Sequence, residues 1–149
     1  MLVYRIILSK YAGGLFASGN AARWNPNDVG VIYTASSRSL ACLENVVHRG
    51  AAALTKQFEV LTVNIPDQLK IKTVKFKELP PNWADFDRIH HTQTIGHNWV
   101  KNGGSAILQV PSSIINEESN YLFNPAHADF SEIKTVRRQL FVFDSRIKL

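Results

Sequence analysis

The sequence predicts an α+β fold in one domain spanning residues 1–149. Three observations predict it. Short runs rich in β-branched and aromatic residues alternate with turn clusters, two longer stretches carry helical patterning with recognisable caps, and no repeat, low-complexity tract or linker divides the chain. A length of 149 residues with 45% apolar content suffices for one core without disulfides.

Leu2 to Leu8 is rich in β-branched and aromatic side chains and reads as a buried first strand, followed by a loop at Gly13-Gly14. Asn25-Pro26-Asn27-Asp28 is a turn cluster, and Val29 to Thr34 after it reads as a short strand. Ser36-Ser37 offers cap hydroxyls for a helix running to about Ala53, with Leu40, Leu43, Val47 and Leu54 as its apolar face. Glu44 sits at the margin of that stripe, so its carboxylate is expected to be partly desolvated. Phe58 to Ile65 and Ile71 to Phe76 read as two strands joined by a Pro-Asp turn in a hairpin or meander, and Pro80-Pro81 ends that section. Asp85 to Lys101 is patterned as a helix with Ile89 and Trp99 on its apolar side, stopped by Asn102-Gly103-Gly104. Ser105 to Val110, broken by Pro111, and Gln139 to Phe143 complete the expected strands.

Cys42 is the only cysteine, so no intrachain disulfide can form and a reducing cytoplasm is the expected setting. The apolar start MLVYRIILSKYAGG lacks the basic region and the apolar length of a signal peptide or membrane span, which predicts no membrane partner. Formal net charge is +5, from 17 basic and 12 acidic residues, and favours anionic partners. The basic residues are scattered, with no block of like charge longer than Arg137-Arg138, so charge alone selects no partner.

The segment Ala22 to His48, ARWNPNDVGVIYTASSRSLACLENVVH, concentrates the chemistry in one strand–turn–helix unit. Arg23 can fork onto a phosphate. Tyr33 offers a flat ring with a polar tip, and Glu44 a negative charge for a developing cation. Those three groups suit a pyridine dinucleotide. Local chemistry also admits plainer roles: Arg23 stacking on Trp24, Tyr33 as a core strand residue, Glu44 as a solvated helix residue. His48, four residues beyond Glu44 on the same helical side, can hydrogen-bond it. Ser112 and Ser113, after Pro111, suit a turn cap. Neither a G-x-S-x-G elbow nor another hydrolase signature is present, so positioning a ribose or phosphate oxygen is a more economical role for the serine than nucleophilic attack. The adjacent His90-His91 point apart on a helix, and His48, His97 and His127 lack metal-ligand spacing, so no metal site is expected. Without G-x-G-x-x-G or G-x-x-x-x-G-K-[ST], any dinucleotide is held in neither the Rossmann nor the P-loop manner.

Taken in order, YRI in the first strand, ARWNPNDVGVIYTASSRSLACLENVVH, LQVPSS, NYLFNPAHADF and the closing FVFD resemble the RES family of bacterial toxins, named for an arginine, a glutamate and a serine. The family's usual GGRWN is here Asn20-Ala21-Ala22 leading into Arg23-Trp24-Asn25. The resemblance implies an ADP-ribosyltransferase-like fold, mixed or antiparallel sheets with flanking helices. It implies cleavage of NAD+ at the nicotinamide–ribose bond and growth arrest, as the toxin of a type II toxin–antitoxin system. Arg23 would hold the diphosphate or its adjacent ribose, Tyr33 would stack on the nicotinamide side, and Glu44 would stabilise cationic ribose. Ser112 would complete the NAD-binding pocket, with His48 and Asn120 in its wall. No cofactor is implied; NAD+ is the substrate, with inorganic phosphate as a co-substrate if the reaction is phosphorolysis rather than hydrolysis. The implied partner is an Xre-type helix-turn-helix antitoxin that blocks the pocket, with no direct nucleic-acid contact by the toxin; homo-oligomerisation stays open. Two alternatives remain: ADP-ribosyl transfer to a cellular protein by the same residues, and a non-enzymatic basic module that binds nucleic acid.

Overall fold

The computed structural model describes residues 1–147, so the last two residues of the expected domain lie outside the described residues. The apolar run Leu2–Leu8 forms β1 near the middle of the sheet, antiparallel to β2 (Ile32–Ala35) on one side and β3 (Phe58–Asn64) on the other. With β4 (Ile71–Thr73), β5 (Ile107–Pro111), β6 (Ser119–Phe123) and β7 (Lys134–Phe141), they make a seven-stranded sheet of order β4-β5-β6-β2-β1-β3-β7. All neighbours are antiparallel except β4 and β5.

Several boundaries differ from those expected. The helix after Ser36-Ser37, α1, covers Arg38–His48 and stops at Arg49-Gly50; a separate 3-10 segment, Ala51–Thr55, carries the rest of the predicted span. Val47, expected on the buried stripe, is exposed, while Leu40 is buried. Phe58–Asn64 and Ile71–Thr73 do not form a hairpin: β4 lies at the far edge, parallel to β5, because the intervening Pro66–Leu69 turn redirects the chain away from β3. Strand β2 starts at Ile32 rather than Val29, and Pro111 closes β5 instead of breaking it. The last strand begins five residues earlier than expected and ends at Phe141. Asp85 to Lys101 resolves into a 3-10 turn, Phe86–Arg88, followed by α2, Ile89–Asn102. Gly103 ends α2 with φ of +59°, a left-handed conformation that costs glycine little.

Strand alternation sorts the core into layers. Val3, Ile32, Leu61, Ile107 and Phe123 pack on one face beneath the loops. Leu40 and Ala41 of α1 pack on the other face over Ile6, Ala35, Phe58 and Val60. Trp99 of α2 packs on that same face, with Trp24, Trp83, Leu108, Val110 and Leu122. Both helices therefore cover one side of the sheet in two separate apolar clusters. The seam between them runs along β2, where Tyr33 packs with the α2 cluster and Ala35, two residues on, belongs to the α1 cluster.

Candidate active site

The seam holds the polar residues that the sequence singles out. Ser37 starts α1: its Oγ accepts from the Leu40 N–H at 3.0 Å, which satisfies a free helix donor and seats Leu40 and Ala41 in the core. That rotation turns Glu44, in the second helical turn, toward the sheet. Across from α1, Asn120 lies opposite Ala35 in the β2–β6 register, and Ser112 follows the end of β5 beside it.

Glu44 is held from three elements. Its Oε1 accepts from Asn120 Nδ2 at 2.7 Å and from Ser112 Oγ at 3.1 Å, while His48 Nε2 lies 3.4 Å from Oε2. Ser112 is fully buried, and its Oγ also accepts from the Ile114 and Ile115 N–H groups at 3.1 and 3.2 Å. The serine thus caps a turn and braces the carboxylate at once; Ser112, not Ser113, makes the contact to Glu44. Burial pushes the Glu44 carboxyl upward, but hydrogen bonds from His48, Asn120 and Ser112 outweigh it and hold the group below its ordinary value of 4.5. The residue is a fixed anion at neutral pH. Asn120 Oδ1, on the same amide, is buried without a hydrogen-bond partner among the described residues.

On the other side of the seam, loop 20–29 carries Arg23. Asn25, 1% exposed, organises this loop: its Nδ2 donates to the Asn20 and Val29 carbonyls at 2.9 and 3.0 Å. Its Oδ1 accepts from the Tyr33 hydroxyl at 2.6 Å, and that hydroxyl accepts from the Trp24 N–H at 3.0 Å. Burial drives the Tyr33 phenol well above its ordinary range, opposed by the Trp24 N–H and by Arg23, so it stays neutral and committed to the loop. Arg23 Nη1 donates to the Asp85 and Trp83 carbonyls at 3.1 and 3.4 Å. Burial lowers its guanidinium pKa, opposed by Asp85, Glu44 and Tyr33, which leaves it a cation within the field of the Glu44 carboxylate. Its Nε and Nη2 have no protein acceptor among the described residues, and they are the donors a bidentate anion would take.

The structure therefore gathers Glu44, His48, Ser112 and Asn120 into one hydrogen-bonded group, and brings Arg23, close to Tyr33, into the electrostatic field of Glu44. Sequence reading placed Asn25 in a turn cluster and in the Arg23-Trp24-Asn25 motif, without giving it a role. Its spacing of eight residues from Tyr33 was the available signal, since a buried asparagine between a loop and a strand tyrosine can tie the two. Thr92, Gln93 and Gly96 of α2, which contact the Arg23 loop, gave no local signal. A cavity of about 590 Å³ at the β3–β7 edge, lined by Leu54, Phe58, Phe141 and Phe143 among others, contains none of these polar groups.

The chain is similar to known proteins over nearly its whole length. The RES domain family matches residues 2–144. Toxin Res of Yersinia enterocolitica is 34% identical over 153 residues, covering 99% of this chain and all of that protein. The Prs ADP-ribosylating toxin of Sphingobium sp. is 34% identical over 136 residues, covering 90% of this chain and 84% of that one. In the crystal structure of the M. tuberculosis MbcT–MbcA toxin–antitoxin complex, one chain superposes with a TM-score of 0.79 at 16% identity, over 95% of this chain and 84% of that one. At that identity the likeness speaks to the fold. The family match across nearly the whole chain, with full-length relatives at a third identity, shows that this protein belongs to the RES domain family.

Proposed function

We propose that this protein is the toxin of a toxin–antitoxin pair and that the polar seam between its two helix clusters cleaves NAD+ between nicotinamide and ribose. The observation that carries the reading is Glu44: an anion fixed by donors from β6, the β5 end and its own helix, facing a partly free guanidinium across the seam. When the glycosidic C–N bond breaks, its electron pair neutralises the pyridinium nitrogen and nicotinamide departs as a neutral molecule. Positive charge then resides on the ribose as an oxocarbenium-like transition state. A preorganised carboxylate beneath it stabilises that charge without moving. Arg23 would take the diphosphate through Nε and Nη2, Tyr33 would form the nicotinamide side of the wall, and Asn120 would act through the carboxylate that its Nδ2 holds. Ser112 acts through Glu44, which it braces, and His48 guards the outer carboxylate oxygen.

Capture of the ribosyl carbon by water, with loss of a proton to solvent, yields ADP-ribose. Capture by inorganic phosphate yields the 1-phosphorylated ester. A protein acceptor is the second reading, favoured by the name of the Sphingobium relative, an ADP-ribosylating toxin. The chemistry up to nicotinamide departure is common to all three. The neutralising partner in this proposal is a helix-turn-helix antitoxin that covers the seam, consistent with the toxin–antitoxin complex of the structural neighbour. Incubation of the purified protein with NAD+ alone, then with phosphate, and product identification by mass separates the acceptors. Many equivalents of nicotinamide without a protein target support NAD+ depletion, whereas release only when a protein is added and modified supports transfer.

A further inference from the structure

We propose that one face of α2, made by Thr92, Gln93 and Gly96, is the seat that sets the reach of Arg23, so that these residues govern substrate binding without touching substrate. Three consecutive peptide carbonyls of the Arg23 segment meet this face. Gln93 Nε2 donates to the Ala22 carbonyl at 2.9 Å, and Thr92 Oγ1 donates to the Arg23 carbonyl at 2.6 Å. The Trp24 carbonyl lies against Gly96, so close that a Cβ built there would be 1.6 Å from its oxygen. Thr92 is fully shielded from solvent and Gly96 is buried, so solvent cannot replace either contact.

The Trp24 N–H completes the restraint from the opposite side through Tyr33. The backbone on both sides of the Arg23 α-carbon is therefore fixed, while part of its guanidinium stays open. A long, rotamer-rich side chain can bind an anion tightly only if little is left to order on binding. Fixing its backbone removes part of that cost in advance. Substitutions in the seat should then change NAD+ binding and leave the step at Glu44 intact.

The inference rests on the NAD+ reading above, and the test separates the two. Thr92→Val keeps the shape and removes the hydroxyl, Thr92→Ser keeps the hydroxyl, and Gly96→Ala pushes a methyl group into the Trp24 carbonyl. Expected are a KM for NAD+ raised roughly five- to tenfold in Thr92→Val, the size of one lost hydrogen bond, and more in Gly96→Ala, with kcat within about twofold. Thr92→Ser should stay near wild type. In an Arg23→Ala background, Thr92→Val should add almost nothing, because it acts through the arginine. Amide exchange across residues 20–29 is the readout independent of turnover, faster in Thr92→Val and unchanged in Thr92→Ser. Unchanged KM and exchange in Thr92→Val, or an undiminished loss on top of Arg23→Ala, would overturn the seat. No nicotinamide release by wild type would overturn the NAD+ reading instead, while exchange still decides the seat. If Gly96→Ala fails to fold, Gln93→Ala, at a half-buried position, replaces it with the same expected rise in KM.

Discussion

Glu44 shows how much a single residue depends on its neighbours. Its charge survives partial burial because Asn120, Ser112 and His48 all donate to it, and the same donors aim it into the seam. Glu44→Gln keeps length and polarity while removing the charge. Turnover should fall about 100- to 1000-fold, the usual loss for one preorganised electrostatic partner of a transition state, with NAD+ affinity nearly unchanged. Steady-state nicotinamide release and an NAD+ titration on folded protein check both parts. The depressed pKa fixes the sign of the acid response: Glu44 contributes stability above the ordinary carboxylate value of 4.5, and this is lost as pH falls through its lower folded value. Ser112→Ala removes one of the donors that depress it. The acid limb of the pH–rate profile should therefore move to higher pH, and the pH-dependent part of the melting difference should close as the medium is acidified. A limb that stays in place would mean that Ser112 serves only its turn. At this scale Arg23 and Glu44 stood out by residue type within one strand–turn–helix unit, whereas Ser112 read locally as a turn cap and stood out only through the resemblance to the RES family. Thr92 and Gln93 did not stand out, since each meets its partner about 70 residues away, through a contact that only the fold creates.

At the scale of elements, local chemistry read the cap at Ser37 and the stop at Gly103 better than the strand limits and pairings. Ser37 caps α1 as its hydroxyl and the following apolar spacing suggested. The end was misplaced because apolar residues continue through Ala51–Leu54, although Gly50 has already broken the helix into a 3-10 segment. The position of β4 was unreadable for a different reason. A Pro-Asp turn after a strand suggests a hairpin, whereas a parallel neighbour such as β5 is reached only through the long α2 crossover. Strand β6, which presents Asn120, was legible only as part of the family's NYLFNPAHADF segment and not as a strand. Because α1 carries Glu44, its cap has a stability signature that can be measured. Ser37→Ala should destabilise by about 1 kcal/mol and lower Tm by roughly 2–4 °C, with kcat per folded molecule close to wild type. Thermal unfolding alongside nicotinamide release tests this, and a kcat loss larger than the folded fraction explains would mean that the cap also sets Glu44's orientation.

At the scale of the molecule, one sheet face carries both helices in separate clusters, and the seam they leave is where a cation, an anion and polar braces meet. Sequence patterning gave the α+β class and the two helices correctly. It could not reveal the seam, because both helices are individually amphipathic and nothing in either says that they share a face. In cells, expression without an antitoxin should lower NAD+ and stop growth together, and co-expression of the cognate antitoxin should restore both. Arrest at constant NAD+, measured in the same culture, would move the account to the protein-modifying reading.

The central claim is that this seam breaks the nicotinamide–ribose bond, and counting nicotinamide released per molecule of purified, inhibitor-free protein tests it most directly. The account predicts many turnovers with NAD+ as the sole organic substrate, undiminished by a metal chelator and nearly abolished in folded Glu44→Gln. Folded wild-type protein that releases no nicotinamide, or Glu44→Gln protein that releases it at the wild-type rate, would contradict it.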